Sequence, residues 1–101
     1  MAIIWDDNKN RKNIEKHGVD FELAQDVFDD PHRMERRDDD HSDKEERRQT
    51  IGMVRQMLFV VYTERGDDTL LITARKAEPH ERRIYYGDRT KYPKGWGPVN
   101  S

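Results

Sequence analysis

Cysteine is absent from the 101 residues, proline occurs four times, glycine six times, and aromatics make up only 9%. Without cysteine there is no disulfide framework and no thiolate zinc site, and nothing demands an oxidising compartment. Apolar residues are scarce too, at 33%, and Leu, Ile, Val and Phe together number 19. That level marks disorder when it accompanies a large net charge, but here 19 Lys and Arg face 21 Asp and Glu, for a net −2. The opening Met-Ala-Ile-Ile-Trp-Asp lacks the basic region and apolar run of a signal peptide, and the longest apolar run, Met57 to Tyr62, cannot span a bilayer. The expected location is the cytoplasm, with no membrane partner. A Gly-rich phosphate loop, a serine nucleophile elbow and a His-Glu-x-x-His zinc helix are also missing.

What apolar residues there are lie clustered, chiefly between Ile51 and Ile72, which is how a thin core is written. The length suits one domain. We place it at residues 1–88, followed by an irregular tail over 89–101 that holds Tyr92-Pro93-Lys94-Gly95-Trp96-Gly97-Pro98. Ala2 to Trp5 reads as a first strand. Asp6-Asp7 then caps a helix from about Asn8 to His17, and Gly18 closes it in the left-handed conformation. Asp20 caps a second helix whose Phe21, Leu23, Ala24, Val27 and Phe28 form a stripe that covers the sheet until Asp30-Pro31 stops it. His32 to Arg37 reads as an edge strand and Asp38 to Lys44 as a polar loop. Three antiparallel strands follow, at about Glu45–Arg55, Met57–Glu64 and Thr69–Lys76, with connections short enough to require hairpins and hence a meander. Pro79 at a first helical position and Gly87 after Tyr86 bound a short last helix, Glu78–Tyr86. The expected class is α+β.

The near-neutral total hides a division: residues 29–48 sum to −3 and residues 75–94 to +4. A basic stretch interleaved with Tyr85, Tyr86, Tyr92 and Trp96 suits a polyanion with stackable bases. Asp38-Asp39-Asp40-His41 with Asp43 holds metal-ligand residue types, but the spacing matches no calcium loop, so no metal and no cofactor is expected. The remaining groups fit a metal-free phosphodiester reaction: Lys16 and His17 at a helix end, Arg47, Arg48, Tyr62 and Arg75 on strands, and His80, Glu81 and Arg82 on the last helix. RNA carries its own nucleophile in the 2′-hydroxyl, so an enzyme needs a base, an acid and cations for the developing charge. Histidine serves as acid or base near neutral pH, and arginine grips phosphate with two donors.

The order of the residues says more. Ile4-Trp5-Asp6 with Lys9 and Asn13, Lys16-His17-Gly18-Val19-x-Phe21, Val27-Phe28-x-Asp30-Pro31, Asp40-His41-Ser42 with Glu46-Arg47, Ile51-Gly52, Val60-Val61-Tyr62-Thr63, and Ile72-Thr73-Ala74-Arg75-Lys76-Ala77 with Glu81-Arg82 and Tyr85 occur in one register. Together they resemble the BrnT toxins of bacterial type II toxin–antitoxin systems, over roughly residues 2–86. The resemblance implies a RelE-like ribonuclease fold, metal-independent RNA cleavage that inhibits growth, and a cognate antitoxin of ribbon-helix-helix type through which operator DNA is bound. It implies catalytic positions at Lys16, His17, Arg47, Arg75 and Arg82, to which the chemistry of the last helix adds Glu81. Arg48, Tyr62, Lys76, Arg83 and Tyr85 are expected RNA contacts. The competing readings are a non-catalytic partner and co-repressor for a DNA-binding antitoxin, and a small metal-dependent enzyme using the Asp38–Asp43 loop.

Overall fold

The computed structural model describes residues 2–87 and 93–99. Six strands form one sheet, β1 (Ile3–Ile4), β2 (Met34–Arg37), β3 (Arg47–Met53), β4 (Met57–Arg65), β5 (Asp68–Lys76) and β6 (Gly97–Pro98), in the order β1-β5-β4-β3-β2-β6. The helices are α1 (Asp7–His17), α2 (Phe21–Ala24), which tightens into a 3₁₀ turn over Gln25–Asp29, and α3 (Pro79–Tyr86). The β3-β4-β5 meander follows from the short turns, as expected. β1 departs from the antiparallel pattern, because it returns beside β5 in parallel, Ile3 opposite Thr69.

Local signals account for the helix ends. Asp6 accepts from the amides of Asn8 and Lys9, which caps α1, and Gly18 at φ 70° ends it by donating to the Ile14 carbonyl. Asp20 caps α2 by accepting from Glu22 N. The second helix is shorter than its apolar stripe indicates: only Phe21–Ala24 is α-helical, and the 3₁₀ turn brings Val27 onto the sheet. That approach is close, since a Cβ on Gly52 of β3 would stand 2.8 Å from Val27 Cβ.

β4 is central, and Met57 to Thr63 are all buried, so this strand reads as a continuous apolar run rather than an alternating one. Its side chains divide two cores. Leu58, Val60 and Tyr62 join Leu71 and Ala74 of β5 beneath Val19, Phe21, Ala24 and Val27. Met57, Phe59 and Val61 join Ile51, Met34, Tyr85 of α3 and Trp96 on the opposite face. Full burial of a side chain such as Phe21 contributes about 1.5–3 kcal/mol. One polar residue fastens α1 to the sheet: Asn13 Nδ2 donates to the carbonyls of Val19 and Ala74, and its Oδ1 accepts from Ala74 N.

Two expectations about the sheet edge are corrected. β2 is an interior strand, because Gly97 pairs with Glu35 and Pro98 with Met34. The tail is therefore not irregular where it is described, residues 93–99, and Trp96 is 4% exposed. The expected boundary at residue 88 and Tyr92 lie outside the described residues. The polar loop after β2 is also more built than expected: Asp39–His41 forms a 3₁₀ turn, and buried Asp38 lies 3.1 Å from His41 Nδ1.

Candidate active site

On the face opposite α1 and α2, β5 and α3 are joined through Ala77, and the residues around that corner enclose a groove of about 430 Å³. Its floor comes from β3 to β5 through Gln49, Phe59 and Arg75. α3 supplies Glu78, His80, Glu81 and Ile84 on one side. Arg36 of β2 with Pro93, Lys94 and Trp96 forms the other.

Arg75 is the most constrained cation. Strand alternation puts it on the groove face opposite Phe59, and its guanidinium lies 4.2 Å from that ring's centre. Arg75 Nη1 and Nη2 donate to the two carboxylate oxygens of Glu81, each at 2.8 Å, and Nη2 is 3.3 Å from the more exposed Glu78. These bonds to Glu81 push the Arg75 pKa up and outweigh its partial burial, so it stays charged. Glu81, 3% exposed, also accepts from Glu78 N, closing a capping box at the start of α3. The first turn of α3 thus serves as a clamp on Arg75.

Arg36 is held differently. Its Nε donates to Gln49 Oε1 at 2.7 Å, and its guanidinium stacks 4.8 Å from the centre of the Trp96 ring. His80, on the exposed side of α3, brings Nε2 to 3.9 Å from Glu81. Arg36, Arg75 and Lys94 against Glu78 and Glu81 leave the groove at +1, or +2 with His80 protonated.

Of the residues the sequence nominates, the structure brings together Arg75, His80 and Glu81. Lys16 and His17 lie elsewhere, in a depression of about 210 Å³ shared with Lys9, Lys12, Asn13, Ile72 and Thr73. Thr73 stands two residues from Arg75 along β5, about 7 Å on strand geometry, so that depression neighbours the groove. Arg47 lines a third hollow of about 400 Å³ with His41, Asp43, Lys44, Glu45 and Arg65. Lys76, Arg82 and Arg83 are exposed and do not line the groove.

Three nominated residues hold structure. Arg48 donates to Glu35 and Glu46, and the buried Tyr62 hydroxyl also donates to Glu35. Burial raises the Glu35 pKa, but the bond from Tyr62 and the charges of Arg33 and Arg48 outweigh it and hold the carboxyl low. Burial, reinforced by Glu35, in turn pushes the Tyr62 phenol up. Tyr85, 7% exposed, donates to Asp30 at 2.6 Å, while its neighbour Tyr86 is 65% exposed. Enclosed rings offer no open face to a base, so neither Tyr62 nor Tyr85 is placed for stacking.

Sequence reasoning missed Arg36, Gln49 and Glu78, and reached Lys94 and Trp96 only as members of the basic, aromatic C-terminal stretch. One signal was readable: Glu78-Pro79-His80-Glu81 has capping-box spacing, which points Glu81 back toward the chain entering the helix. Arg36 and Trp96 become neighbours only through β2–β6 pairing. Among the described residues no group of three or more metal-ligating side chains is gathered, and no helix is long and apolar enough to cross a membrane.

A helix-backed α+β sheet that carries a cationic groove on its other face defines a class of small domain suited to a polyanionic substrate. Within that class the chain belongs to the family described as ribonuclease toxin, BrnT, of type II toxin–antitoxin system, whose family model matches residues 5–81. Membership implies a ribonuclease toxin and a cognate antitoxin partner. No curated protein matches the chain.

Proposed function

We propose that the protein is a metal-independent RNA endonuclease with a RelE-like fold, acting in the cytoplasm to inhibit growth, and that the groove at the β5–α3 corner is its active site. The observation that carries this reading is Arg75, fixed by Glu81 beside His80, Glu78 and Arg36 in one groove. The RNA 2′-hydroxyl attacks the adjacent phosphorus while Glu78 takes its proton. The phosphorane charge develops against Arg75 and Arg36, and His80 gives a proton to the departing 5′-oxygen. The products are a 2′,3′-cyclic phosphate and a 5′-hydroxyl, with no co-reactant. Glu81 positions Arg75. Lys16, His17, Arg82 and Arg83 contact the RNA backbone at the margins, where cations add affinity without sequence preference. An antitoxin of ribbon-helix-helix type neutralises the enzyme and carries the operator-DNA contact.

The test is cleavage of single-stranded RNA by the purified chain in EDTA, with the same RNA carrying a 2′-deoxy sugar at the cut site as control. Cleavage of the first and survival of the second are expected. The combined Asp39→Asn, Asp40→Asn and Asp43→Asn variant should cut in EDTA at the wild-type rate. Activity that chelation abolishes and a divalent cation restores would move the chemistry to a metal. The second reading, a non-catalytic co-repressor, has one observation in its favour: Arg75 already bonds two carboxylates of its own chain. Intact RNA in growth-arrested cells, checked by primer extension, would select it.

A further inference from the structure

The segment 93–99 lies beyond the matched residues 5–81, yet it forms one side of the groove. Three attachments hold it there. Trp96 is buried among Met34, Ile51, Met57, Phe59, Val61 and Tyr85, and meets Phe59 edge to face at 6.4 Å. Gly97 and Pro98 extend the sheet beside β2, and Val99 N donates to the Arg33 carbonyl. Arg36 stacks on the outer side of the Trp96 ring. The chain reaches Trp96 through a tight turn closed by Trp96 N donating to Pro93 O at 3.0 Å.

That turn has a feature its packing does not require. Lys94 has φ +36° and Gly95 φ +80°, two consecutive left-handed residues, and Lys94 is the only described non-glycine residue with positive φ. Glycine or asparagine is the ordinary occupant of such a position. A lysine there is strained, and it makes no ion pair among the described residues while it lines the groove with Arg36 and Arg75. Strain retained at a site that faces a groove points to use of the side chain.

We propose that Lys94 is a substrate-binding residue of the active site, holding an RNA phosphate next to the one that is cut, and that Trp96 is a positioning residue that sets Lys94 and Arg36 at the groove. This rests on the reading of the groove as an RNA site. The C-terminal segment is then part of the working enzyme, docked before any partner arrives.

The discriminating variant is Lys94→Gly, which suits the left-handed backbone and removes the side chain with its charge. Affinity of the full chain for a fluorescent mixed-sequence single-stranded RNA is measured by anisotropy across a salt series, beside thermal unfolding. Lys94→Gly should bind RNA several-fold more weakly at low salt, with a salt slope shallower by about 0.7, one single-strand phosphate contact. Its unfolding midpoint should be unchanged or higher, and Lys94→Arg should restore the slope. Trp96→Leu should lower the midpoint and also remove at least the same increment of slope, and adding Lys94→Gly to it should remove no more. An unchanged slope in Lys94→Gly overturns the Lys94 assignment, and a Trp96→Leu variant that loses stability alone overturns the positioning role. The double variant Arg75→Ala with Glu81→Gln, which leaves no unpaired buried charge, separates the two levels in the same series: if it binds and cleaves RNA like wild type, the groove is not the RNA site, whereas if it stays folded and fails while Lys94→Gly is indistinguishable from wild type, only the present proposal falls.

Discussion

The two faces of the sheet share the central strand β4 but are finished in different ways. Toward α1 and α2 the cover is apolar, Val19, Phe21, Ala24 and Val27 over Leu58, Val60, Tyr62, Leu71 and Ala74, and Asn13 satisfies its hydrogen bonds internally. Toward α3 the cover is incomplete. Tyr85 and Trp96 seal part of the face, and the remainder is roofed by guanidinium groups stacked on aromatic rings, Arg75 on Phe59 and Arg36 on Trp96. Cations over rings keep the core dry while leaving charge at the surface. One face thus holds the fold, and the other holds the fold and presents a site.

The largest expected effect of breaking that division falls on Arg75. Arg75→Ala leaves Glu81 without its main partner, so the substitution is best made with Glu81→Gln, which removes the uncompensated buried charge. The double variant should retain its fold by circular dichroism and lose about a hundredfold or more in single-turnover RNA cleavage, the scale of one preorganised donor. Wild-type cleavage would place the chemistry on another surface.

The buried core of the opposite face should respond in stability alone. Asn13→Ala strands the Ala74 amide and two carbonyls in a buried position, at a cost of about 3 kcal/mol. In a domain of this size that lowers the unfolding midpoint by roughly 15 °C. Cleavage per folded molecule should not change, and a loss at constant folded fraction would show that the faces are coupled.

A smaller effect sharpens the contrast at the base of α3. Burial raises the Asp30 pKa, but bonds from Tyr85, Met53 N and His32 N, with the charge of His32, outweigh it and hold the carboxyl below its ordinary value; Glu35 is likewise low. The folded chain therefore binds these protons less readily than the unfolded chain. Their contribution is complete above the ordinary carboxylate range near pH 4 and drains away as pH falls through the lower folded values. Tyr85→Phe should cost about 2 kcal/mol at neutral pH and flatten the fall in unfolding midpoint below about pH 4. An unaltered acid limb would mean that Asp30 does not depend on Tyr85.

How much was legible follows from the range of each signal. Asp6, Gly18, Asp20 and Pro79 act within a turn of where they stand, and the elements they bound were readable from spacing. The apolar run from Met57 marked a strand, and its burial on both faces came from the structure. β2 could not be told from an edge strand, because the segment that covers it arrives more than 60 residues later. Likewise Tyr85 and Tyr86 are alike in sequence, and only the direction in which α3 packs buries one and exposes the other.

The sequence by itself determined the class, the meander and the ends of α1 and α3, since caps and turn lengths are local properties. The Lys-His-Gly-Val and Ile-Thr-Ala-Arg-Lys-Ala segments carried the family as well. Tertiary structure alone decided which cations share a groove. It set Lys16 and His17 in one depression and Arg47 in another, while Arg36, Arg75, His80 and Lys94 met at the β5–α3 corner. The reason is geometric: a groove is made where separate segments approach, and strand order and register, which no single segment encodes, fix that approach.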